Sequence, residues 1–209
     1  MSYQTAHLSE LESIPVGDRG LVWRPIRSRF DIRAFGVNAY TAEPGHEVVE
    51  EHTEETYGHE EMYVVVSGRA TFTLNGEDVD APAGTIVHLP EPSVRRTAVA
   101  QEPGTIVLAV GGKRGEAFQP SAWELFFRAG HLPPEEALRL LEQAGDSYNK
   151  ESASFQYNLA CYRALAGDRD GALEAFRHAF ELGPDRVREW APGDSDLDSI
   201  RAEVDALIG

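Results

Sequence analysis

Met62-Tyr-Val-Val-Val-Ser-Gly68-Arg-Ala-Thr-Phe-Thr-Leu74-Asn75-Gly76 is the stretch on which the fold of this chain turns. Two runs of β-branched and aromatic residues flank Ser67-Gly68, and the second ends in Asn-Gly, the pair best suited to a two-residue hairpin turn. Upstream lie Pro44-Gly45, Glu50-Glu51-His52 and Gly58-His59-Glu60-Glu61. Downstream, Pro82-Ala83-Gly84 leads into a further strand over 85–89. His and Glu side chains on or beside short strands joined by tight turns are how a small barrel presents a ligand set to its own interior.

The pattern extends in both directions. Strands are expected around 21–23, 32–40, 47–52, 59–66, 69–74, 85–89, 94–100 and 105–110, and so many short strands at near-regular spacing predict a closed barrel or sandwich. Gly111-Gly112-Lys113-Arg114-Gly115-Glu116 breaks the run, and after Pro120 the apolar period changes from 2 to 3.6. Helices follow near 122–127 and 133–144, then at 154–166 and 169–182 around a Gly167-Asp168 turn. Gly183-Pro184 is a stop signal, and the last helix is amphipathic, over 195–208. The expected organisation is a lead-in at 1–20, a barrel over 21–115 and an all-α domain over 116–209, hence an α+β chain.

The 209 residues are 42% hydrophobic, enough for a core in each half. The net charge of −16 is shared: 10 basic and 18 acidic residues precede Ser121, and 9 and 17 follow. Such a field disfavours nucleic acid and anionic membrane as partners. A single cysteine, Cys161, excludes an internal disulfide, and its place in a helix beside Leu159 and Ala160 predicts a buried, inert thiol. With no run of spanning length and no signal-like segment, a cytoplasmic protein is expected.

Residues of about 20–112 resemble the cupins, small barrels with two motifs. Gly45 opens the first, Glu61 takes its Glu place and Gly68 closes it; Gly76, Pro82 and Gly84 match the second. The two His places of the first motif fall on Glu50 and His52, and the last His place falls on Arg95. Residues 154–184 resemble a tetratricopeptide repeat, with Leu159, Ala160, Gly167, Ala172, Phe176, Ala179 and Pro184 at its packing positions. Such repeats serve as peptide-binding scaffolds.

Alternation puts His59, Glu61 and Tyr63 on one face of their strand and Glu60 and Met62 on the other, and pairs Glu50 with His52. The expected metal set is Glu50, His52, His59 and Glu61, a nitrogen and oxygen set suited to divalent Mn, Fe, Ni, Cu or Zn. Arg95, Tyr63 and Asn38 are the ligand-binding candidates, Arg95 as a fork for a carboxylate. The cupin resemblance implies oxygenase or isomerase chemistry, with Arg95 orienting the substrate and Tyr63 assisting proton transfer. The competing reading of the same acidic run is a solvated loop, with Glu61 and Arg95 merely paired inside the barrel. His88 should face away from Val87 and Leu89.

Trp123, Leu125, Phe126 and Phe127 form an apolar cluster expected to dock on the barrel or on a second subunit, giving a homodimer or a protein partner. The sequence therefore supports a small-molecule-binding barrel, with or without a metal. Its alternative is an interaction protein with an inert barrel and a helical partner-binding surface.

Overall fold

In the computed structural model, which describes residues 3–120, 122–144 and 148–209, the chain divides into two units, Met1–Phe118 and Gln119–Gly209. Ser121 and the first two residues of the expected lead-in lie outside the described residues. The lead-in contains a 3-10 turn at Leu8–Glu10 and a strand β1, Ile14–Val16. It continues into β2 (Leu21–Arg24), a short helix α1 (Ile26–Phe30), β3 (Gly36–Ala42), β4 (Glu47–His52), β5 (His59–Ser67) and β6 (Arg69–Leu74). After these come β7 (Glu77–Pro82), β8 (Ile86–Leu89), β9 (Arg96–Ala100) and β10 (Thr105–Lys113).

All pairings are antiparallel. One sheet runs β1-β2-β3-β10-β5-β8 and the other β4-β9-β6-β7. Counting from β3, these are strands 1-8-3-6 against 2-7-4-5, the order of a jelly roll. The core between the sheets is built from both: Tyr63, Val65, Val87, Leu89 and Val107 from the first, Val48, Val49, Phe72 and Ala98 from the second. Tyr63 and Phe72 meet across it with ring centroids 5.6 Å apart.

Asn75 and Gly76 both take positive φ, 50° and 89°, and close the β6–β7 hairpin with Leu74 opposite Glu77. β7 itself was not expected from the sequence. Its residues Glu77, Asp78, Val79 and Asp80 are all exposed on the edge of the smaller sheet, so no buried face marks them as a strand. Charge at such an edge deters pairing with another chain. Gly68, at φ +68°, makes the β5–β6 turn where a Cβ would come within 2.4 Å of Thr105 Oγ1.

The second unit comprises α2 (Trp123–Ala129), α3 (Pro134–Glu142), α4 (Ala153–Leu165), α5 (Arg169–Leu182), α6 (Pro184–Trp190), a 3-10 segment at Ser195–Ile200 and α7 (Arg201–Ile208). Ser152 caps α4 by accepting from the Phe155 amide, and Asp168 caps α5 by accepting from Gly171. Gly183-Pro184 ends α5 and at once opens α6, because proline suits the first turn of a helix as well as the end of one. The expected last helix divides into the 3-10 segment and α7. Leu125 is buried in this unit's core, whereas Trp123 and Phe127 are half-buried and pack edge-on at 5.6 Å. Cys161 is buried beside Asp194, whose carboxylate also accepts from Tyr157 at 2.7 Å; burial and the Asp194 charge push the thiol pKa well up, which disfavours the thiolate.

Candidate metal and ligand site

β4 does not alternate simply. Its pairing with β9 shifts register twice, between Glu47 and Val49 and between Val49 and His52. Val48 and Val49 are therefore both buried, Glu50 and Glu51 both face outward, and His52 turns back toward the interior. Glu50, expected to share a face with His52, contributes only its carbonyl oxygen, 2.8 Å from His52 Nδ1. That contact places the proton on Nδ1 and leaves the Nε2 lone pair facing inward in the neutral ring.

The same one-residue question decides the arginine. Arg95 is 64% exposed and pairs with Glu51 at 2.6 Å on the outside. Arg96 is the cross-strand partner of His52 and is wholly buried. The inward cation of this site is thus Arg96, whose consecutive position reverses its face.

β5 alternates as expected. Glu60 points out, where it pairs with Arg114 and with His88, and these partners hold its carboxyl down at about 2. Glu61 points in, and its side chain is 12% exposed. Its Oε2 accepts a 2.7 Å hydrogen bond from Tyr63 and lies 3.8 Å from His52 Nε2 and 3.7 Å from Arg96 Nε. Burial works to raise the Glu61 pKa, but His52, Tyr63 and the Arg96 charge outweigh it and hold the carboxyl below its ordinary range. Burial and the adjacent Glu61 charge push the Tyr63 hydroxyl well up, so it is a hydrogen-bond donor and not a phenolate. For His52, burial acts to lower the pKa and is overcome by Glu61 and the Glu50 carbonyl, for a net rise. Room for Glu61 comes from its cross-strand neighbour Gly111: a Cβ there would sit 3.0 Å from Glu61 Cγ.

The fourth contributor lies between strands, in the turn after β4. Amides of Tyr57 and Gly58 bond back to the Glu54 carbonyl, and the Glu54 amide bonds to Pro92. The turn so fixed carries the Glu54 carboxylate inward, to 3.6 Å from His52 Nε2 and 3.1 Å from His59 Nδ1. His59, stacked on Tyr57 at 5.6 Å and tilted against Phe118, braces Glu54 and is not part of the triad that converges. Asn38 is buried in β3, in the row Asn38–Ala109–Tyr63 that crosses the sheet.

His52, Glu54 and Glu61 each offer one atom, all within 4.8 Å of one another. One further observation fits a divalent cation there: the Nδ1 contact of His52 is the arrangement that orients a ligating imidazole. Glu54 Oε2 is buried against His59 Nδ1 at 3.1 Å. The donors are one nitrogen and two carboxylates, a set suited to Mn, Fe or Zn. Among these residues the sequence pointed to His52 and Glu61; Glu54 and Arg96 were not anticipated. A Thr-Glu-Glu run after a strand reads as solvated surface, and only the turn geometry turns one of its two glutamates inward.

No family model matches this sequence, and no curated protein matches it. Solved structures are similar over about half of the chain. A sugar phosphate isomerase from a cupin superfamily, from Silicibacter pomeroyi, is 16% identical, with 53% of this chain and 76% of that one covered and a TM-score of 0.43. An RmlC-like cupin from Shewanella frigidimarina is 18% identical over 55% of this chain and 95% of that one, with a TM-score of 0.41. KdgF from Halomonas sp. is 18% identical over 50% and 89%, with a TM-score of 0.40. No helix among the described residues is long and apolar enough to cross a membrane.

Proposed function

We propose that the first unit is a cupin-type barrel that binds a small molecule beside a divalent cation held by His52, Glu54 and Glu61. The observation that carries this reading is the convergence of those three ligand atoms within 4.8 Å at the interior end of β4 and β5. A bound cation supplies a Lewis acid that polarises an oxygen of the ligand. Around it, Tyr63 holds Glu61 by its hydroxyl, the Glu50 carbonyl holds His52, and His59 holds Glu54, so each donor is oriented before any ligand arrives. Tyr63, a neutral hydroxyl bonded to Glu61, and Asn38, which lies in its row, are the polar groups this reading assigns to the ligand side of the site. Oxygenation or isomerisation of an oxygen-rich small molecule is the chemistry in keeping with this set.

The second unit is read as a tetratricopeptide-like hairpin with flanking helices. Of the seven positions of that resemblance, Leu159, Ala160, Ala172, Phe176 and Ala179 are buried in its core, while Gly167 and Pro184 are exposed, in the turn before α5 and at the start of α6.

The test is metal analysis of the untagged protein purified without chelator, followed by titration with Mn2+, Fe2+, Ni2+, Cu2+ and Zn2+. About one equivalent should bind, with at least a tenfold loss of affinity in Glu54→Gln and Glu61→Gln and none in Glu50→Gln, on the scale seen for removal of metal-supporting residues. Absence of binding by every ion, or a loss in Glu50→Gln equal to that in Glu61→Gln, overturns the reading.

A further inference from the structure

Arg96 has five N–H donors inside the barrel and uses one of them in a hydrogen bond, from Nη1 to the Pro92 carbonyl at a long 3.5 Å. Nε and Nη2 are buried and have no hydrogen-bond partner among the described residues. The nearest anion, Glu61 Oε2, lies 3.7 Å from Nε, an ion pair but beyond hydrogen-bond length, and that oxygen is already taken by Tyr63. Leaving such donors unmet in a wholly buried side chain is unfavourable. Nε and Nη2 are also the two N–H groups that point in parallel from one edge of a guanidinium, the edge that matches the two oxygens of a carboxylate.

Charge points the same way. Glu54 and Glu61 supply two negative charges and Arg96 one positive. A divalent cation, with His52 ligating as neutral imidazole, leaves the site one positive charge in excess. One carboxylate removes that excess.

We propose that Arg96 is the anion-recognition residue of this site, so that the small molecule bound beside the cation carries a carboxylate that Nε and Nη2 receive side-on. This deepens the reading above and rests on it for the cation. Arg95, outside and paired with Glu51, takes no part. Because each charge improves the site for the other, cation and carboxylate bind with positive coupling, and the coupling is reciprocal.

The experiment is calorimetric titration of the chelator-stripped full chain with Mn2+, alone and with an excess of acetate, glycolate or pyruvate, acetamide being the neutral control. At least one of the carboxylates should tighten Mn2+ by about tenfold, within the usual range for coupled sites, and acetamide should not. Arg95→Met should keep that gain. Arg96→Met should bind Mn2+ as tightly as the unaltered protein or more tightly, since a repelling charge is gone, and should lose the gain. Arg96→Lys, which keeps the charge without the fork, should lose most of it. In the unaltered protein with Zn2+, the Arg96 Nε–H proton resonance should move downfield on carboxylate addition, a readout that needs no variant to fold. Mn2+ binding that no carboxylate tightens overturns this inference and leaves the cation site standing. Full coupling in Arg96→Lys, or an unmoved Arg96 resonance, also overturns it. Absence of binding by Mn2+ and by each of the other four ions, with or without carboxylate, removes both readings.

Discussion

Removing the Arg96 charge should destabilise the barrel far more than removing the pair it belongs to. At 3.7 Å and an effective dielectric of about 20, the Arg96–Glu61 attraction is about 4.5 kcal/mol before desolvation is counted. Arg96→Met leaves Glu61 in the interior with only Tyr63 and His52 to stabilise its charge, and Glu61→Gln leaves a buried guanidinium with no anion within ion-pair distance. Each single change is expected to cost about 3–5 kcal/mol, whereas the double variant, with no charge of the pair left, should cost about 1–2 kcal/mol. The coupling is then roughly 4–9 kcal/mol if no group relaxes. Protonation of Glu61 in Arg96→Met lowers it towards about 3 kcal/mol. The assay is native-state hydrogen exchange under chelator, read on peptides of β5 and β9, because a chain of two units does not give one unfolding transition. Single-variant costs that add to the double within about 0.5 kcal/mol would refute the pairing.

Three other outcomes are expected. The raised His52 pKa stabilises the fold fully below 6.5 and is lost as pH rises through the folded value, while the lowered Glu61 pKa stabilises it above 4.5 and is lost as pH falls. For these two groups, the chelated barrel should therefore be most stable between 4.5 and 6.5, and Mn2+ should raise the midpoint of the barrel's own thermal transition more at pH 8 than at pH 5; a pH-independent gain contradicts this. Gly111→Ala should place a methyl 3.0 Å from Glu61 Cγ and displace the carboxylate by a few tenths of an ångström, weakening Mn2+ binding severalfold with about 1 kcal/mol of lost stability. Gly112→Ala, whose Cβ meets only Phe118 at 3.7 Å, is the control. Tyr157→Phe should cost the helical unit about 1–2 kcal/mol by leaving Asp194 without its 2.7 Å donor, read by exchange in α4, and should leave Mn2+ binding unchanged.

Local chemistry determined much of this protein. Asn75-Gly76 dictates a hairpin because both residues must take positive φ, and the switch of apolar period after Pro120 separates strands from helices, both visible without a structure. Period-two alternation in the regular strand β5 suffices to send Glu61 and Tyr63 inward and Glu60 outward, and in β8 it sends His88 outward. Where the ladder is irregular, that rule fails. The two register shifts of β4 against β9 put Glu50 outside and His52 inside, and the choice between Arg95 and Arg96 depends on which of them β9 sets opposite His52. A bulge belongs to a pair of strands, and neither partner's sequence announces it. Glu54 enters from a turn held by Pro92, some forty residues away, and β7 exists because β6 offers it an edge. Composition and spacing thus determined which side chains were available for a site. Only long-range backbone pairing decided which of them meet, because facing is a property of register between segments distant in the chain.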